Sequence, residues 1–339
     1  MSHHKVAELL GDGISAELSA SVHAVAEALP FTLDFVPVDL SHENRERRGL
    51  ALYDDAAGLA KELGTAIKYP TATTRESPNK VLRERLQFSV IHRPVCTIPG
   101  IDSNFKRSID IDVVRVAIGG TYDDPGRRIG HDVAVSIRVI ERGPSRAAAR
   151  FAFKLAQIRG SHVVSTSKYT IQRATDGLFE EAVQRVAEDY PTVPHRQELF
   201  DALLAGIVMK PERYKVIVCP NEYGDFLSDS ACGLIGSVGL GDSANYAFDN
   251  DERVVTAMFD PAGGTAPDIA GKNVANPTAA LLALANMVRH LGHARECDAL
   301  RAAILGAIAA GECTADVRGK LSTTEFTRVV IDRLRTGLR

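Results

Sequence analysis

The sequence predicts an α/β protein in which helices and strands alternate and stack as layers. Its 339 residues are enough for about two domains of ~150 residues each. Hydrophobic residues make up 45% and charged residues 24%, which is typical of a folded globular protein. A short apolar run at 6–10 precedes a Gly-Asp-Gly turn at 11–13 and a stretch of helical periodicity at 16–29. We therefore expect the chain to open as strand, turn and helix.

The same alternation continues along the chain. We expect strands at 163–166 and 215–219 and helices at 145–159, 176–188, 279–290, 294–309 and 323–335. Gly292 and Gly311 are placed to end two of the last helices. This order of elements predicts a layered α/β/α sheet. No G-x-G-x-x-G follows the first strand, so a standard Rossmann dinucleotide site is not expected.

The middle of the chain predicts a second, smaller domain. Runs typical of strands, at 111–117 and 134–140, flank a polar, glycine-rich stretch at 119–130. We expect a large domain formed by residues 1–94 together with 233–339, and a small domain formed by residues 95–232.

Charge and cysteine content exclude several classes of protein. The 40 Lys and Arg against 43 Asp and Glu give a net charge of −3, so the chain has no global positive field for nucleic acid or an anionic membrane. The five cysteines form no C-x-x-C pair, which argues against a zinc site or a disulfide framework. Because no signal-peptide pattern or long apolar segment is present, we expect a soluble, cytoplasmic protein.

Three arginines are candidates for binding an anion. Arg83 and Arg93 lie ten residues apart, and Arg115 lies between valines in an apolar strand. A guanidinium in such a strand needs an anionic partner because it cannot lose its proton. From the residues alone, an internal ion pair and a clamp on substrate carboxylates are about equally supported.

Two carboxylates follow a buried strand in the segment CPNEYGDFLSD. Asp225 and Asp229 are four residues apart, so a helix places both on one face. One interpretation is a site for Mg²⁺ or Mn²⁺, which bind oxygen ligands. The alternative is that Asp225 caps a helix N-terminus and Asp229 is solvated. Lys168 follows a strand, where α/β sites are usually built, and Tyr122 lies in the glycine-rich stretch. Each of these two could also be an ordinary surface residue.

Several motifs together resemble one enzyme family. These are GDGIS, SPNKVLRERL, IHRP, KYT, PNEYGDFLSD and GGTAPDIAGKNVANP, in this order over nearly the whole chain. They resemble the β-decarboxylating dehydrogenases, which include isocitrate, isopropylmalate and homoisocitrate dehydrogenases. The resemblance implies two domains that close on a cleft, the larger being built from both chain ends.

The resemblance also implies roles for the candidate residues. It makes Arg83, Arg93 and Arg115 the clamp on substrate carboxylates, Lys168 the base, Tyr122 the acid, and Asp201, Asp225 and Asp229 the metal ligands. In the family the lysine and the first aspartate reach into the partner's cleft, which implies a homodimer with shared active sites. The implied reaction is metal-assisted oxidation of a 2-hydroxy acid with hydride transfer to a nicotinamide, then loss of CO₂.

The resemblance implies a dinucleotide loop outside the Rossmann scheme. Its cofactor residues are Thr73, Gly264, Thr265, Ala266, Asp268 and Asn276. A carboxylate at Asp268 accepts hydrogen bonds from ribose hydroxyls and repels a 2′-phosphate, so NAD is expected rather than NADP.

The substrate is narrowed by Ser77 and Asn79, which match the isocitrate type. Lys80 and Arg75 add positive charge nearby, which favours a (2R)-2-hydroxy acid with a β-carboxylate and a third anionic arm, although Lys80 could also be a solvated helix residue. We expect isocitrate or a close analogue, with homoisocitrate or a phosphonomethylmalate-type acid as alternatives. A catalytically inactive regulatory homologue is a further alternative, because the family's Glu-Asn after the third arginine is replaced by Val-Ala at 116–117, the next acidic position by Gly119 and a loop histidine by Gly263.

Overall fold

The computed structural model describes residues 2–74, 76–101, 103–236 and 240–339. Within these ranges, ten strands form one large sheet and two more form a separate hairpin. The strands are β1 (His3–Leu10), β2 (Thr32–Asp39), β3 (Thr65–Lys68), β4 (Val90–Cys96), β5 (Asp110–Val116), β6 (Arg127–Ile129), β7 (Val133–Val135), β8 (Val163–Ser167), β9 (His195–Leu199), β10 (Val216–Cys219), β11 (Asp242–Phe248) and β12 (Val254–Pro261).

Helices cover both faces of the large sheet. They are α1 (Ser15–Ala26), α2 (His42–Arg48), α3 (Leu50–Leu63), α4 (Pro78–Leu86), α5 (Arg142–Ile158), α6 (Thr175–Ala187), α7 (Phe200–Met209), α8 (Asn221–Ile235), α9 (Thr278–His290), α10 (Ala294–Ala309) and α11 (Thr323–Leu338). In the described part of the chain, no helix is long and apolar enough to cross a membrane.

The large sheet has two parallel flanks joined by an antiparallel centre. Its strand order is β2-β1-β3-β12-β11-β4-β5-β10-β8-β9. The strands are parallel from β2 to β12 and from β5 to β9, whereas β12, β11, β4 and β5 pair antiparallel. This arrangement confirms the predicted layered α/β sheet.

Each flank has a hydrophobic core on both faces. In the flank from β2 to β12, helices α1, α9, α10 and α11 pack on one face, and α3 and α4 pack on the other. In the flank from β5 to β9, α5 and α6 cover one face and α7 and α8 cover the other. Residue 94 lies inside β4 and residue 233 inside α8, so the expected domain boundaries fall within elements, and the two-domain division stays a prediction.

Most expected elements form, with one clear exception. The opening strand, turn and helix are present, and so are the three C-terminal helices. The first two of these end near Gly292 and Gly311, whose φ angles are 93° and 74°. The expected strand at 134–140 was wrong, because β7 ends at Val135. The Asp124 carboxylate accepts the backbone N–H of Ile137, and this side-chain bond competes with a strand ladder.

Candidate active site

A cavity of about 360 Å³ lies between α4, β4, β5 and the start of α8. It brings together seven residues expected in the site: the five for substrate binding, Tyr122 and Asp225. The lining residues are Ser77, Asn79, Lys80, Arg83, Glu84, Arg93, Arg115, Ala117, Ile118, Tyr122, Asp123, Asn221 and Asp225. The side chains therefore converge on a single concave surface, which is the geometry that a small-molecule site requires.

Two of the three cavity arginines are paired with carboxylates of α8. Arg115 is almost fully buried, forms an ion pair with Asp225 and donates from Nε to Asn221 Oδ1 at 2.8 Å. Arg93 Nη1 lies 3.3 Å from Asp225 Oδ1 and 3.1 Å from Asp229 Oδ1. The ion-pair interpretation of Arg115 is thus realised in the structure. Asn221 was not among the expected site residues, although it lies in the motif that carries Asp225.

Arg83 is the exception, because no described carboxylate lies within 4 Å of its guanidinium. Its Nε atom is buried and has no hydrogen-bond partner in the described structure. Burial, followed by the nearby charges of Arg115 and Arg93, lowers the pKa of Arg83 to about 9. A buried cation beside two other cations is costly unless an anion neutralises it. Within the described structure, Arg83 is thus the cavity cation whose charge no carboxylate offsets.

Asp225 and Asp229 share one face of α8 as expected. The helix begins at Asn221, so Asp225 is in its second turn and the capping interpretation was wrong. Burial opposes ionisation of Asp225, but Arg115, Arg93 and a hydrogen bond from Tyr122 together lower its pKa. Burial and the charge of Asp225 raise the pKa of Asp229.

Tyr122 is held at the mouth of the cavity by two different elements. Its hydroxyl donates to Asp225 Oδ2 at 3.1 Å, and burial and the charge of Asp225 raise the pKa of the phenol. Its backbone carbonyl accepts a hydrogen bond from Lys80 Nζ at 3.0 Å, and Lys80 also bonds the carbonyl of Asp123. Lys80 therefore joins α4 to the tyrosine loop, so it is not simply a solvated helix residue. Arg75 lies outside the described residues.

Ser77 and Asn79 differ in how far their polar atoms are already used. Ser77 Oγ accepts the backbone N–H of Lys80 at 3.4 Å and so caps α4. Asn79 Oδ1 is buried and has no hydrogen-bond partner within the described structure. A buried amide oxygen without a partner is costly, so Asn79 is the better candidate for contacting a ligand.

Lys168 and Asp201 form a separate pair outside the cavity. Lys168 Nζ lies 2.9 Å from Asp201 Oδ1, and the Asp201 side chain is 69% exposed. Neither residue lines the cavity. Among the described residues, no three His, Cys, Asp or Glu side chains lie close enough to hold a metal ion. In one chain, therefore, Asp225 and Asp229 lie on α8 beside the cavity arginines, whereas Asp201 lies on α7 beside Lys168.

The expected dinucleotide loop packs against the turn between β1 and α1. A Cβ atom at Gly13 would lie 1.9 Å from the Thr265 carbonyl oxygen, so only glycine allows this approach. In the same turn, Asp12 Oδ2 accepts the backbone N–H of Ala72 at 2.7 Å. Thr73 follows Ala72 and is exposed. The turn thus gathers Thr73 and Thr265, which are far apart in sequence.

The rest of that loop is open to solvent. Gly264 and Asp268 are exposed, and Ala266 has a positive φ of 37°. Asn276 already donates to Asp316 Oδ2 at 2.9 Å. The exposed carboxylate of Asp268 is therefore free to meet a ligand, whereas Asn276 is engaged in an internal bond.

Comparison with known proteins identifies the family. The family model described as isocitrate/isopropylmalate dehydrogenase matches residues 5–330. The chain belongs to this family. It is 35% identical to a 3-isopropylmalate dehydrogenase of Archaeoglobus fulgidus, covering 97% of this chain and 99% of the relative. It is 33% identical to an isocitrate/homoisocitrate dehydrogenase of Thermus thermophilus, covering 98% and 99%.

A solved structure extends the likeness to the fold. The crystal structure of isocitrate dehydrogenase from Methylococcus capsulatus superposes with a TM-score of 0.88 at 30% identity, covering 98% of this chain and 99% of that one. The family resemblance inferred from the motifs and the isocitrate dehydrogenase-like fold are both confirmed. The chain is a dehydrogenase of the class that oxidises and decarboxylates hydroxy acids. Because the relatives are named for three different acids, family membership does not choose the substrate.

Proposed function

We propose that this dehydrogenase uses NAD and Mg²⁺ or Mn²⁺ to oxidise and decarboxylate a (2R)-2-hydroxy acid that carries a β-carboxylate and a third anionic arm. Isocitrate is the first candidate, and homoisocitrate or a phosphonomethylmalate-type acid are the alternatives. The carrying observation is Arg83, a half-buried arginine whose Nε atom is buried and which has no carboxylate partner among the described residues. A substrate carboxylate would supply the missing negative charge through bidentate hydrogen bonds.

The charge in the cavity is more balanced than the count of arginines suggests. Asp225 offsets Arg115, and Asp225 with Asp229 offsets Arg93. Glu84, which also lines the cavity, lies 3.8 Å from the Lys80 ammonium, so Arg83 is the cavity cation that has no carboxylate within 4 Å among the described residues. Support for a third anionic arm therefore comes from Lys80 on α4. The unpartnered Oδ1 of Asn79 is an acceptor, so it would pair with a donor such as a substrate hydroxyl rather than with the anion itself.

The carboxylates of α8 fit a hard divalent cation. Asp225 and Asp229 are oxygen donors on one face of the helix, and the lowered pKa of Asp225 keeps it ionised at neutral pH. Asp225 and Asp229 would hold the cation, and its charge would supply a lowered pKa for the substrate hydroxyl and stabilisation of negative charge on the substrate oxygen. Arg83, Arg93 and Arg115 then orient the carboxylates of the substrate.

Proton transfer falls to Lys168 and Tyr122. Lys168, as the base, would accept the proton from the substrate hydroxyl. The raised pKa of Tyr122 keeps the phenol protonated, as a proton donor to carbon requires. The exposed Asp268 suits the free hydroxyls of an adenosine ribose, and the nicotinamide of NAD would accept the hydride from C2.

We also propose a homodimer in which Lys168 and Asp201 complete the partner's cleft. The support is that one chain leaves this pair apart from Tyr122 and Asp225. Large apolar side chains are exposed on the same helices as the aspartates. They are Val208 and Met209 on α7 and Phe226 on α8, each more than half exposed. Exposed apolar side chains on both of these helices support a surface that a second chain covers.

The substrate proposal is tested by a panel of acids assayed for NADH. The panel holds isocitrate, homoisocitrate, isopropylmalate, malate, tartrate and phosphonomethylmalate, each with Mg²⁺ or Mn²⁺. We expect kcat/KM to be highest for one of the three acids with a third anion. Preference for isopropylmalate would contradict the third-anion proposal. No turnover of any acid would support the regulatory alternative.

Variants of α4 locate the third arm. Asn79→Ala and Lys80→Met should each lower the ratio of kcat/KM for the best acid to that for malate by about 10- to 100-fold. The ratio is used because Lys80 also bonds the tyrosine turn, and loss of those bonds affects both acids. Ser77→Ala is less informative because it also removes the cap of α4. Arg85→Met is the matched control on the same helix, since Arg85 bonds Asp54 rather than lining the cavity. An unchanged ratio in both cavity variants would exclude contact with the arm.

A further inference from the structure

Arg138 is the centre of a buried polar cluster beneath the cavity. Its Nε and Nη2 atoms lie 3.1 and 2.7 Å from Asp176 Oδ1, and it forms an ion pair with Glu222. Its guanidinium also lies over the ring of Tyr223, 4.9 Å from the centroid. Asp176 is fully buried and the side chain of Glu222 is 4% exposed. Two buried carboxylates thus share one guanidinium, which a lysine could not match in geometry.

Asp176 connects this cluster to the proposed base. Its Oδ2 atom accepts the backbone N–H of Lys168 at 2.7 Å, while its Oδ1 atom is held by Arg138. The backbone of Lys168 is therefore fixed by a carboxylate that is itself fixed by Arg138. A shift of Asp176 would move Lys168 relative to Asp201, to which its Nζ atom is bonded.

Glu222 connects the same cluster to the turn that carries the proposed acid. A Cβ atom at Gly120 would lie 1.9 Å from Glu222 Oε2, so the turn packs directly on this carboxylate. Gly120 also exchanges two backbone hydrogen bonds with Val139, the neighbour of Arg138. Tyr122 follows Gly120 by two residues. Arg138 and Glu222 therefore enclose the base of the tyrosine turn from two sides.

A third connection runs through aromatic side chains. The ring of Tyr223 stacks on Phe200, with centroids 4.5 Å apart and planes 19° apart. Phe200 is the first residue of α7 and precedes Asp201. The guanidinium of Arg138 thus supports the start of α7 as well as the two loops.

We infer that Arg138, Asp176 and Glu222 are positioning residues that hold Lys168 and Tyr122 in place for proton transfer. None of the three lines the cavity, so they act through other residues rather than on the substrate. The inference rests on the proposed function, because that proposal gives Lys168 and Tyr122 their roles. Misplacement of a catalytic group by ~1 Å can reduce turnover by about 100-fold, so fixing both groups has a large effect on rate.

Variants of Glu222 separate positioning from general stability. Glu222→Leu removes the carboxylate that pairs with Arg138 and should lower kcat by about 10- to 100-fold, with the KM of the hydroxy acid changed less than about twofold. Glu222→Gln retains an oxygen for Arg138 and should recover kcat to within about threefold of the native enzyme. Arg142→Met is the matched control, because Arg142 pairs with Glu181 at the exposed surface. Equal loss in the Gln and Leu variants, or a loss no larger than in Arg142→Met, would overturn the inference.

Chemical labelling tests Lys168 without any substrate. The rate of acetylation of Lys168 by acetic anhydride is measured by peptide mass spectrometry and divided by that of Lys154, an exposed lysine on α5. The double variant Arg138→Met/Asp176→Asn removes the guanidinium together with one of its carboxylate partners, so position 176 carries no buried charge. In this variant the ratio of the Lys168 rate to the Lys154 rate should rise by about two- to fivefold, because the pair between Lys168 and Asp201 loosens. An unchanged ratio would overturn the role of the cluster even if the native protein turns over no acid. A changed ratio in a protein without turnover would contradict the proposed function alone.

Discussion

Lys168 Nζ bonds Asp201 Oδ1 at 2.9 Å, and this pair stands apart from the cavity that contains Tyr122 and Asp225. If the pair serves the partner's cleft, each chain contributes to two active sites. It supplies Tyr122 and Asp225 to its own cleft, and Lys168 and Asp201 to the cleft of its partner. A dimer of two defective chains can then regain one intact cleft. Chains whose own residues complete their own sites cannot do so.

Mixing inactive Lys168→Ala with inactive Asp225→Asn should restore activity after subunit exchange. One cleft of each heterodimer combines an intact Asp225 with an intact Lys168, so random mixing predicts about one quarter of native activity. The sharper control mixes Lys168→Ala with Asp201→Asn, which damages the same half-site in both chains and should restore nothing. Equal recovery in both mixtures, or none in the first despite proven exchange, would contradict shared sites.

Asp225→Asn and Asp229→Asn should both abolish metal-dependent turnover but change stability differently. The lowered pKa of Asp225 means that its ionised form stabilises the fold above its unfolded pKa, and this contribution is lost as pH falls. Asp225→Asn should therefore lower the free energy of unfolding at pH 7 by about 1–3 kcal/mol. The pKa of Asp229 is raised, so its ionised form does not stabilise the folded state. Asp229→Asn should therefore leave the free energy of unfolding unchanged or raise it slightly. Urea unfolding at pH 7 measures both, and equal destabilisation would contradict the assigned charges.

Arg83→Met should stabilise the protein without substrate while removing substrate binding. The folded state is penalised for a buried guanidinium whose pKa is lowered to about 9, and this penalty is fully present below pH 9. We expect a gain of about 1–2 kcal/mol in unfolding free energy, together with loss of the stabilisation that added tricarboxylate gives the native protein. Thermal melting with and without citrate measures both effects. Arg85→Met should retain the citrate effect, and its loss there would point to non-specific binding.

Asp268→Lys should reverse or narrow the preference for NAD over NADP. A lysine attracts the 2′-phosphate that the carboxylate repels, which typically changes the ratio of kcat/KM values by about 100-fold. Asp332→Lys on α11 adds the same charge at another exposed carboxylate and should leave the ratio unchanged. Equal use of both dinucleotides by the native enzyme would refute the assignment of Asp268.

Glu180→Gln should stabilise the protein more at pH 8 than at pH 4.5. Burial raises the pKa of Glu180 to about 6, although Ser165 and Ser167 donate hydrogen bonds to it. Between pH 4.5 and 6 the folded state holds this proton more tightly than the unfolded chain, so stability falls as pH rises through that range. The difference between the two pH values should be about 1–2 kcal/mol by urea unfolding. No difference would mean that Glu180 is already ionised at pH 4.5 in the folded protein.

Local sequence patterns predicted the positions of many helices and strands correctly. Helical periodicity located α10 and α11, because each of them buries one apolar face. The apolar run at 279–290 located α9, which is buried almost all round. The short apolar run before Gly11 located β1, because a strand inside the sheet buries consecutive apolar residues. The strand predicted at 134–140 was wrong because only its first residues pair, in the hairpin. Beyond them, Ser136 Oγ donates to the backbone carbonyl of Asp124 and the N–H of Ile137 donates to the Asp124 carboxylate.

Contacts in the candidate site were predictable only where both residues belong to one short sequence motif. The spacing of Asp225 and Asp229 places both on one helix face, as observed. The pairing of Arg93 with Asp225 joins residues 132 apart in sequence, so no local pattern could reveal it. Arg138 and Glu222 were missed for the same reason, although a charged residue before the tyrosine of the PNEYGD motif was a signal that a buried partner exists.

The central claim is that the arginine cavity and the carboxylates of α8 support oxidative decarboxylation. The most direct measurement follows NADH by absorbance and CO₂ by a coupled assay during turnover of the best acid in the panel. We predict equimolar NADH and CO₂ that stop when EDTA removes the divalent cation and resume when Mg²⁺ or Mn²⁺ is added back. NADH without CO₂, or turnover unaffected by EDTA, would contradict the claim.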